Sequence, residues 1–318
     1  MGFWSPQLRC EGGKTVVAIQ TTNLTKDFNG VRAVNDLSLS IETGEIYGFI
    51  GLNGAGKTTT IRMLLGMCRP TGGRAYVLGK RIKTGCHHLW SDVGYIVEAP
   101  HSYPELTVWE NLKLFHRLRG IEDKGRLDEV VARLRLGPYV HRKAAHLSLG
   151  NLQRLGLAKA LMHGPRILIL DEPTNGLDPA GMIEIRKLLK ELALKGVTVF
   201  LSSHLLGEVA KLATRIGIVH EGRLIEELDS ESLDQRVRKR LVLKTRNNAR
   251  ALSVLEEAGI KVKPDQKILS ICDEHVILKP ETAVRHLVSA GLPPIHVEVE
   301  TEDLETYFVR IVSRGKGK

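Results

Sequence analysis

The chain has no apolar run approaching the ~18 to 20 residues that cross a bilayer, so no membrane span is expected. Cysteine is sparse: Cys10, Cys68, Cys86 and Cys272 are scattered and form no Cys-x-x-Cys pair. That pattern suggests neither a disulfide framework nor a zinc site, and a reduced, cytosolic compartment fits it. The first residues, Met1-Gly2-Phe3-Trp4-Ser5-Pro6, lack a basic region followed by an apolar core, so no secretory signal is expected. Pro6 stands where N-myristoylation wants Ser or Thr, and a floppy tail over residues 1–14 is expected instead. Acidic residues are missing between Arg236 and Arg250, where seven basic ones fall. No aromatic residues interleave that run, so it does not indicate a stacking platform for single-stranded nucleic acid.

What remains is ordinary for a soluble globular protein: 318 residues, 42% hydrophobic and 26% charged. That length accommodates one large domain and a small one, or two of middle size. The formal charge of +10 is compatible with nucleic acid, anionic headgroups, an acidic partner or simply a solvated basic surface.

One stretch organises the rest. Gly51-Leu52-Asn53-Gly54-Ala55-Gly56-Lys57-Thr58-Thr59 matches the phosphate-loop pattern G-x-x-x-x-G-K-[ST]. The apolar, β-prone run Ile46 to Ile50 precedes it, and Thr60 to Leu65 follows with helical spacing. Strand, glycine-rich loop and helix is the context that the motif requires. The glycines let successive backbone N–H groups point inward, and the helix N-terminus adds to that anion site. Lys57 would reach the β- and γ-phosphates, and the Thr58 hydroxyl would ligate Mg²⁺.

Around this loop the chain reads as α/β. An opening strand is expected over Thr15 to Gln20; Leu24 to Phe28 follows, with a turn at Asn29-Gly30, and then a strand over Leu37 to Ile41, which alternates strictly. An antiparallel β layer ahead of the nucleotide core follows from them. Strands are also expected over Arg74 to Leu78 and Val93 to Val97. The capping box Thr107-Val108-Trp109-Glu110 opens a helix toward Gly120, and Gly125 to Leu136 reads as another. The stretch from 98 to about 147 therefore reads as a helical insertion. Ser148 opens a helix to about Met162, and Pro179 starts one that ends at Gly196. The apolar strands Ile167 to Leu170 and Val197 to Leu201 alternate with these helices, which argues for a mostly parallel sheet with helices on its faces. Two late strands, Ile216 to Val219 and Leu224 to Glu227, flank the Glu221-Gly222 turn. Residues 15–229 form the expected nucleotide-binding domain. Residues 230–318 read as a small ferredoxin-like α+β unit: strand Arg240 to Lys244, helix Ala249 to Ala258, strand Ile268 to Ile271, strand His275 to Leu278, helix Glu281 to Ala290, strand Ile295 to Val299 and helix Leu304 to Val312.

Two further motifs carry chemistry. Ile167-Leu168-Ile169-Leu170-Asp171-Glu172 is an apolar strand ending in carboxylates. Asp171 would hold Mg²⁺, while Glu172 would polarise the attacking water. Leu147-Ser148-Leu149-Gly150-Asn151-Leu152-Gln153-Arg154 places Ser148 as a helix N-cap whose surroundings favour an anion. This last motif resembles the signature of the ATP-binding cassette (ABC) family, Leu-Ser-Gly-Gly-Gln, matching at Ser148 and Gly150 and departing at Leu149 and Asn151. The resemblance covers about Ile19 to Glu227. It implies a P-loop NTPase ABC cassette binding ATP and Mg²⁺. It also implies roles for further residues. Asn175-Gly176-Leu177-Asp178 resembles the loop that meets a partner subunit, His204 the switch histidine at the γ-phosphate, and Phe28 the aromatic that stacks on adenine. Glu98 stands where the family usually has Gln, and a carboxylate there could ligate Mg²⁺ or orient water.

The Leu149 and Glu98 variants, with the extra C-terminal unit, look most like the bacitracin-type drug and peptide resistance exporters. That likeness implies an ATPase at the cytoplasmic face of a bacterial-type membrane, peripheral to a separate multi-span permease. Two copies would close head to tail, with Ser148 and Gly150 of one completing the phosphate site, Gly51 to Thr59, of the other. A groove for a permease helix is expected at Glu98 to Glu110, with Pro100, Tyr103 and Trp109 as lining. The alternative is a soluble ABC-type ATPase acting on nucleic acid or ribosomes. Long coiled coils or a second cassette would accompany that reading, and neither is visible in this chain.

Overall fold

In the computed structural model, residues 16–85, 90–123, 125–264 and 268–315 are described. The expected tail over residues 1–14, with Cys10 and Cys86, lies outside them. The chain divides into two compact units, one ending at Glu231 and rejoined from Ile311, the other spanning Ser232–Arg310.

The first unit is laid out around strands with no polar face. β1 (Val17–Phe28), β2 (Val31–Glu42) and β3 (Ile46–Ile50) come first. α1 (Lys57–Leu64), β4 (Gly72–Val77), β5 (Lys80–Arg81) and β6 (Val93–Ile96) follow. Helices α2 (Val108–Leu118) and α3 (Gly125–Arg133) lie between β6 and α4 (Leu149–Leu161). The unit continues with β7 (Ile167–Asp171), α5 (Pro179–Leu194), β8 (Thr198–Ser203), α6 (Leu206–Ala210), β9 (Arg215–His220) and β10 (Arg223–Asp229). Every residue of β3, β7 and β8 is buried, as strands covered on both faces must be. They occupy the middle of a six-stranded sheet ordered β10-β9-β3-β8-β7-β6, parallel except for β10.

β2 alternates as expected: Leu37, Leu39 and Ile41 are buried while Ser38 and Ser40 face solvent. It belongs to a second, antiparallel sheet ordered β2-β1-β4-β5. The opening strand expected to end at Gln20 continues as β1 through Phe28, carrying register shifts between Thr21 and Leu24 where Asn23 takes φ 49°. A bulge lets the chain bend without ending the ladder. The core of this unit joins Ile19, Leu24, Leu37 and Ile41 to Tyr47, Phe49, Ile61 and Phe200. Phe200 stacks on Tyr47 with ring centroids 5.8 Å apart and planes 6° apart.

The second unit contains α7 (Leu233–Arg236), β11 (Lys239–Lys244), α8 (Asn248–Glu257), β12 (Val262–Pro264), β13 (Leu269–Ile271), α9 (Glu274–Leu278), α10 (Pro280–Ser289) and β14 (His296–Thr301). α11 (Leu304–Gly315) begins in it. Its antiparallel sheet is ordered β12-β13-β11-β14, the pairing of a split βαβ unit. One expectation is corrected here. The segment His275 to Leu278 is the helix α9, not a strand. Asp273 caps it, its Oδ1 accepting from the N–H of His275 at 2.9 Å and of Val276 at 3.4 Å, and that local bond outweighs the β-propensity of Val276-Ile277. The fourth strand is β12, which the sequence pattern does not announce. Leu241, Leu243, Leu255, Leu269, Ile271 and Leu287 form this unit's core. The basic run is partly neutralised within it: Arg240 meets Glu300 at 2.6 Å. Among the described residues no helix is long and apolar enough to cross a membrane.

Candidate functional site

The loop between β3 and α1 turns because two of its glycines take left-handed angles, Gly54 at φ 82° and Gly56 at φ 96°. At Gly56 a Cβ would also lie 2.3 Å from the Ala33 carbonyl oxygen, so both strain and contact exclude a side chain. α1 starts at Lys57 with no side chain capping it, which leaves its first N–H groups to an anion. The Lys57 ammonium is buried and donates to the carbonyls of Gly51 (2.6 Å) and Leu52 (3.2 Å). Burial lowers the Lys57 pKa, while the nearby Glu172 and Asp171 carboxylates raise it back.

Parallel pairing places Asp171, the last residue of β7, beside Ser202 of β8. The Asp171 carboxylate is buried and fully engaged. It accepts from the Thr58 hydroxyl at 2.8 Å, from the Glu98 backbone N–H at 3.3 Å and from the Ser202 hydroxyl. Glu172 follows with φ 49°, an uncommon angle for this residue type and one found at functional sites. Its N–H donates to the Ser202 carbonyl at 3.2 Å, and the Gln153 amide donates to its carbonyl at 3.3 Å. The Glu172 carboxylate lies 3.9 Å from Lys57 Nζ and 3.0 Å from His204 Nδ1.

These groups surround a cavity of about 460 Å³. Phe28, Asn53, Gly54, Ala55, Gly56, Lys57, Thr58, Thr59, Glu98, Asp171 and Glu172 all line it, together with Ala33 and Asn175. Phe28 is 45% exposed at the rim, with Lys26 Nζ 4.7 Å from its ring centroid. Gly51 does not line it but accepts from Lys57 Nζ, and His204 reaches the site through Glu172. Ser148, Gly150 and Asp178 do not line this cavity. Ser148 caps α4, its Oγ accepting from Asn151 N at 3.3 Å, and Asp178 caps α5 by accepting from Gly181 N at 3.0 Å. Ser202 and Gln153 are functional neighbours that sequence reasoning misses. Ser202 has one signal, the Ser202-Ser203 pair that follows the apolar run Val199 to Leu201 in β8.

A second cavity, of about 380 Å³, lies where β6, α1, α2 and α4 approach, with Tyr95, Pro100, Phe115, Arg119 and Lys159 in its lining. Pro100 is there as expected, but Tyr103 and Trp109 are not. Tyr103 turns outward, 58% exposed, its backbone tied to Asn111 by a bond of 2.9 Å. Burial drops the Lys159 ammonium to a pKa of about 8; its acceptors are the His101 carbonyl, Ser102 and Asn111.

A parallel sheet whose central strand β3 feeds a phosphate loop, with an Asp-Glu pair at the end of β7, one strand beyond β8, defines a P-loop ATPase. Comparison with known proteins narrows the class. The family described as ABC transporter matches residues 34–175. The chain is 38% identical over 303 residues to the bacitracin transport ATP-binding protein BcrA of Bacillus licheniformis, covering 93% of this chain and 98% of that protein. It is 35% identical over 225 residues to the lantibiotic transport ATP-binding protein SrtF of Streptococcus pyogenes, covering 68% and 94%. A solved dimeric bacterial ABC transporter cassette aligns with TM-score 0.62 and 25% identity over 67% of this chain and 98% of that one. The chain belongs to the ATP-binding, ATP-hydrolysing proteins of the ABC transporter family.

Proposed function

We propose that this chain is the ATPase subunit of an exporter of a drug, peptide antibiotic or similar compound. It would act at the cytoplasmic face of a bacterial-type membrane, with a second copy of itself and a separate multi-span permease. The domain assignment follows: residues 15–229 as the ATPase domain, with its helical insertion at 98 to about 147, and residues 230–318 as a small accessory domain. The arrangement at Glu172, a carboxylate beside the phosphate cradle, bonded to His204 and facing Lys57, supports the ATPase part of the reading, and the likeness to the bacitracin transport protein over 93% of the chain supports the exporter part.

Each residue then has a task. The loop N–H groups and Lys57 bind the β- and γ-phosphates. Glu172 accepts a hydrogen bond from the attacking water and aligns it. His204 orients Glu172 and lies near the γ-phosphate. Phe28 offers its exposed ring to the adenine. Thr58 and Asp171 suit Mg²⁺: both are hard oxygen donors, already 2.8 Å apart. Mg²⁺ would neutralise the charge developing on the phosphates. Ser148 and Gly150, at the N-terminus of α4, face no part of their own cavity. They would close on the nucleotide of the second copy. The cavity beside Pro100 and Lys159 would receive a permease helix.

The test is co-purification from membranes. The wild-type chain should bring down a multi-span protein, and Glu172→Gln with ATP should trap a dimer. Recovery with nucleic acid and no membrane protein would refute the exporter reading.

A further inference from the structure

Glu98 lines both cavities, the nucleotide cradle and the groove beside α4. Its backbone is held in place: φ is 60°, and its N–H donates to Asp171 Oδ2 at 3.3 Å. Side-chain torsions alone therefore decide which cavity receives the carboxylate. In this structure it turns to the groove, where it forms an ion pair with the Arg62 guanidinium. Arg62 lies one turn along α1 from Thr58, so the two side chains share a helix face. Thus α1 grips one carboxylate, Asp171, through Thr58, and a second, Glu98, through Arg62.

We propose that Arg62 is a positioning residue that holds the Glu98 carboxylate out of the phosphate cradle and neutralises it there. The proposal rests on reading the cradle as an ATP site. The physical need is plain. Asp171 and Glu172 already put two carboxylates at the place where a triphosphate must sit. A third, unneutralised and free to swing in from a fixed backbone, repels the phosphates at short range. The ion pair is half exposed on both sides, so it contributes little to folding. Its effect lies in where it keeps a negative charge.

The experiment measures binding of a fluorescent ATP analogue to the purified full-length chain, in EDTA and then in Mg²⁺, at constant ionic strength. Arg62→Met should weaken binding in EDTA by about fivefold or more, and Mg²⁺ should shrink that gap by neutralising the freed carboxylate. Arg62→Lys, which keeps the charge, should stay within about twofold of wild type. In a Glu98→Gln background the Arg62→Met change should have no effect beyond about twofold, because there is then no charge to restrain. Thermal melting checks that each variant folds, and Arg62→Gln replaces Arg62→Met if methionine disturbs α1. The proposal is overturned if Arg62→Met binds like wild type in EDTA, or if the loss persists in the Glu98→Gln background. Failure of the wild-type chain to bind the analogue at all, or equal binding by Lys57→Ala, would instead overturn the reading of the cradle.

Discussion

Two helices of the first unit present their N-termini to possible phosphates, and they are built differently. α1 begins behind Gly56 without a side-chain cap, inside a cavity of about 460 Å³, with Lys57, Asp171 and Glu172 facing in. α4 begins behind Ser148, which caps it, and its first residue Leu149 is 54% exposed. The first tip has a buried cation, Lys57, and a carboxylate, Glu172, beside it, the groups that the proposed nucleotide binding and water activation would need. The second offers a hydroxyl, a few N–H groups and a helix dipole, and no acid or base in its own signature residues, Ser148-Leu149-Gly150. The contrast agrees with the proposal that binding and chemistry reside at α1 and that α4 would supply the closing half for another copy.

The largest expected effect separates binding from chemistry at the first tip. Glu172→Gln should lower kcat for ATP by about 10²- to 10³-fold while leaving ATP bound. Lys57→Ala should lose ATP binding itself, read by the fluorescent analogue. Equal kcat for Glu172→Gln and wild type would remove the catalytic assignment. Next comes Gly56→Ala. Its left-handed φ and the 2.3 Å approach to the Ala33 carbonyl leave no space for a methyl group. ATP affinity should fall about tenfold or more, with a stability loss of about 1 to 3 kcal/mol in urea unfolding.

The second tip should behave in the opposite way. Ser148→Arg should leave ATP binding by a single copy within about twofold, because Ser148 lines no part of that copy's cavity, yet cut turnover about tenfold or more. Mixing Ser148→Arg chains with Lys57→Ala chains should restore part of the activity, since each supplies the half the other lacks. If the mixture stays inactive while each variant still dimerises, α4 does not serve the neighbouring copy.

How far these features are legible in the sequence follows from how local they are. The cradle occupies contiguous residues, so the loop, Lys57 and Thr58 can be read directly, as can Asp171-Glu172 at the end of an apolar strand. Ser202 cannot, because its bond to Asp171 depends on the parallel register of β7 and β8. The Arg62–Glu98 pair joins residues of α1 to the end of β6, and nothing in either stretch announces the other. Nearness in sequence misleads at the groove: Tyr103 and Trp109 follow Pro100 closely, but the Arg and Lys side chains that line the cavity, Arg62, Arg119 and Lys159, come from α1, the end of α2 and α4. The segment His275 to Leu278 reads as a strand because its β-branched residues hide the capping bond of Asp273, which becomes visible only with the backbone turned.

The smallest expected effect concerns the other end of α4. Its N-terminus is exposed, whereas Lys159, near its C-terminus, is largely buried with only neutral acceptors around its ammonium. Burial lowers the pKa from an ordinary 10.5 to about 8. Between those values the unfolded chain keeps a proton that the folded chain has released, so folding releases protons and stability rises with pH. Below pH 8 both states are protonated, and the cost of burying the charge is present in full. Wild type should therefore gain about 2 to 3 kcal/mol on Lys159→Met as the pH climbs from 8 to 10.5, with a nearly constant difference well below pH 8, in urea unfolding at a series of pH values. Parallel curves for the two proteins would mean that water or a neighbouring acid already solvates the ammonium. The cavity beside α4 would then lack the unneutralised cation that now distinguishes this end of the helix from the Ser148 end.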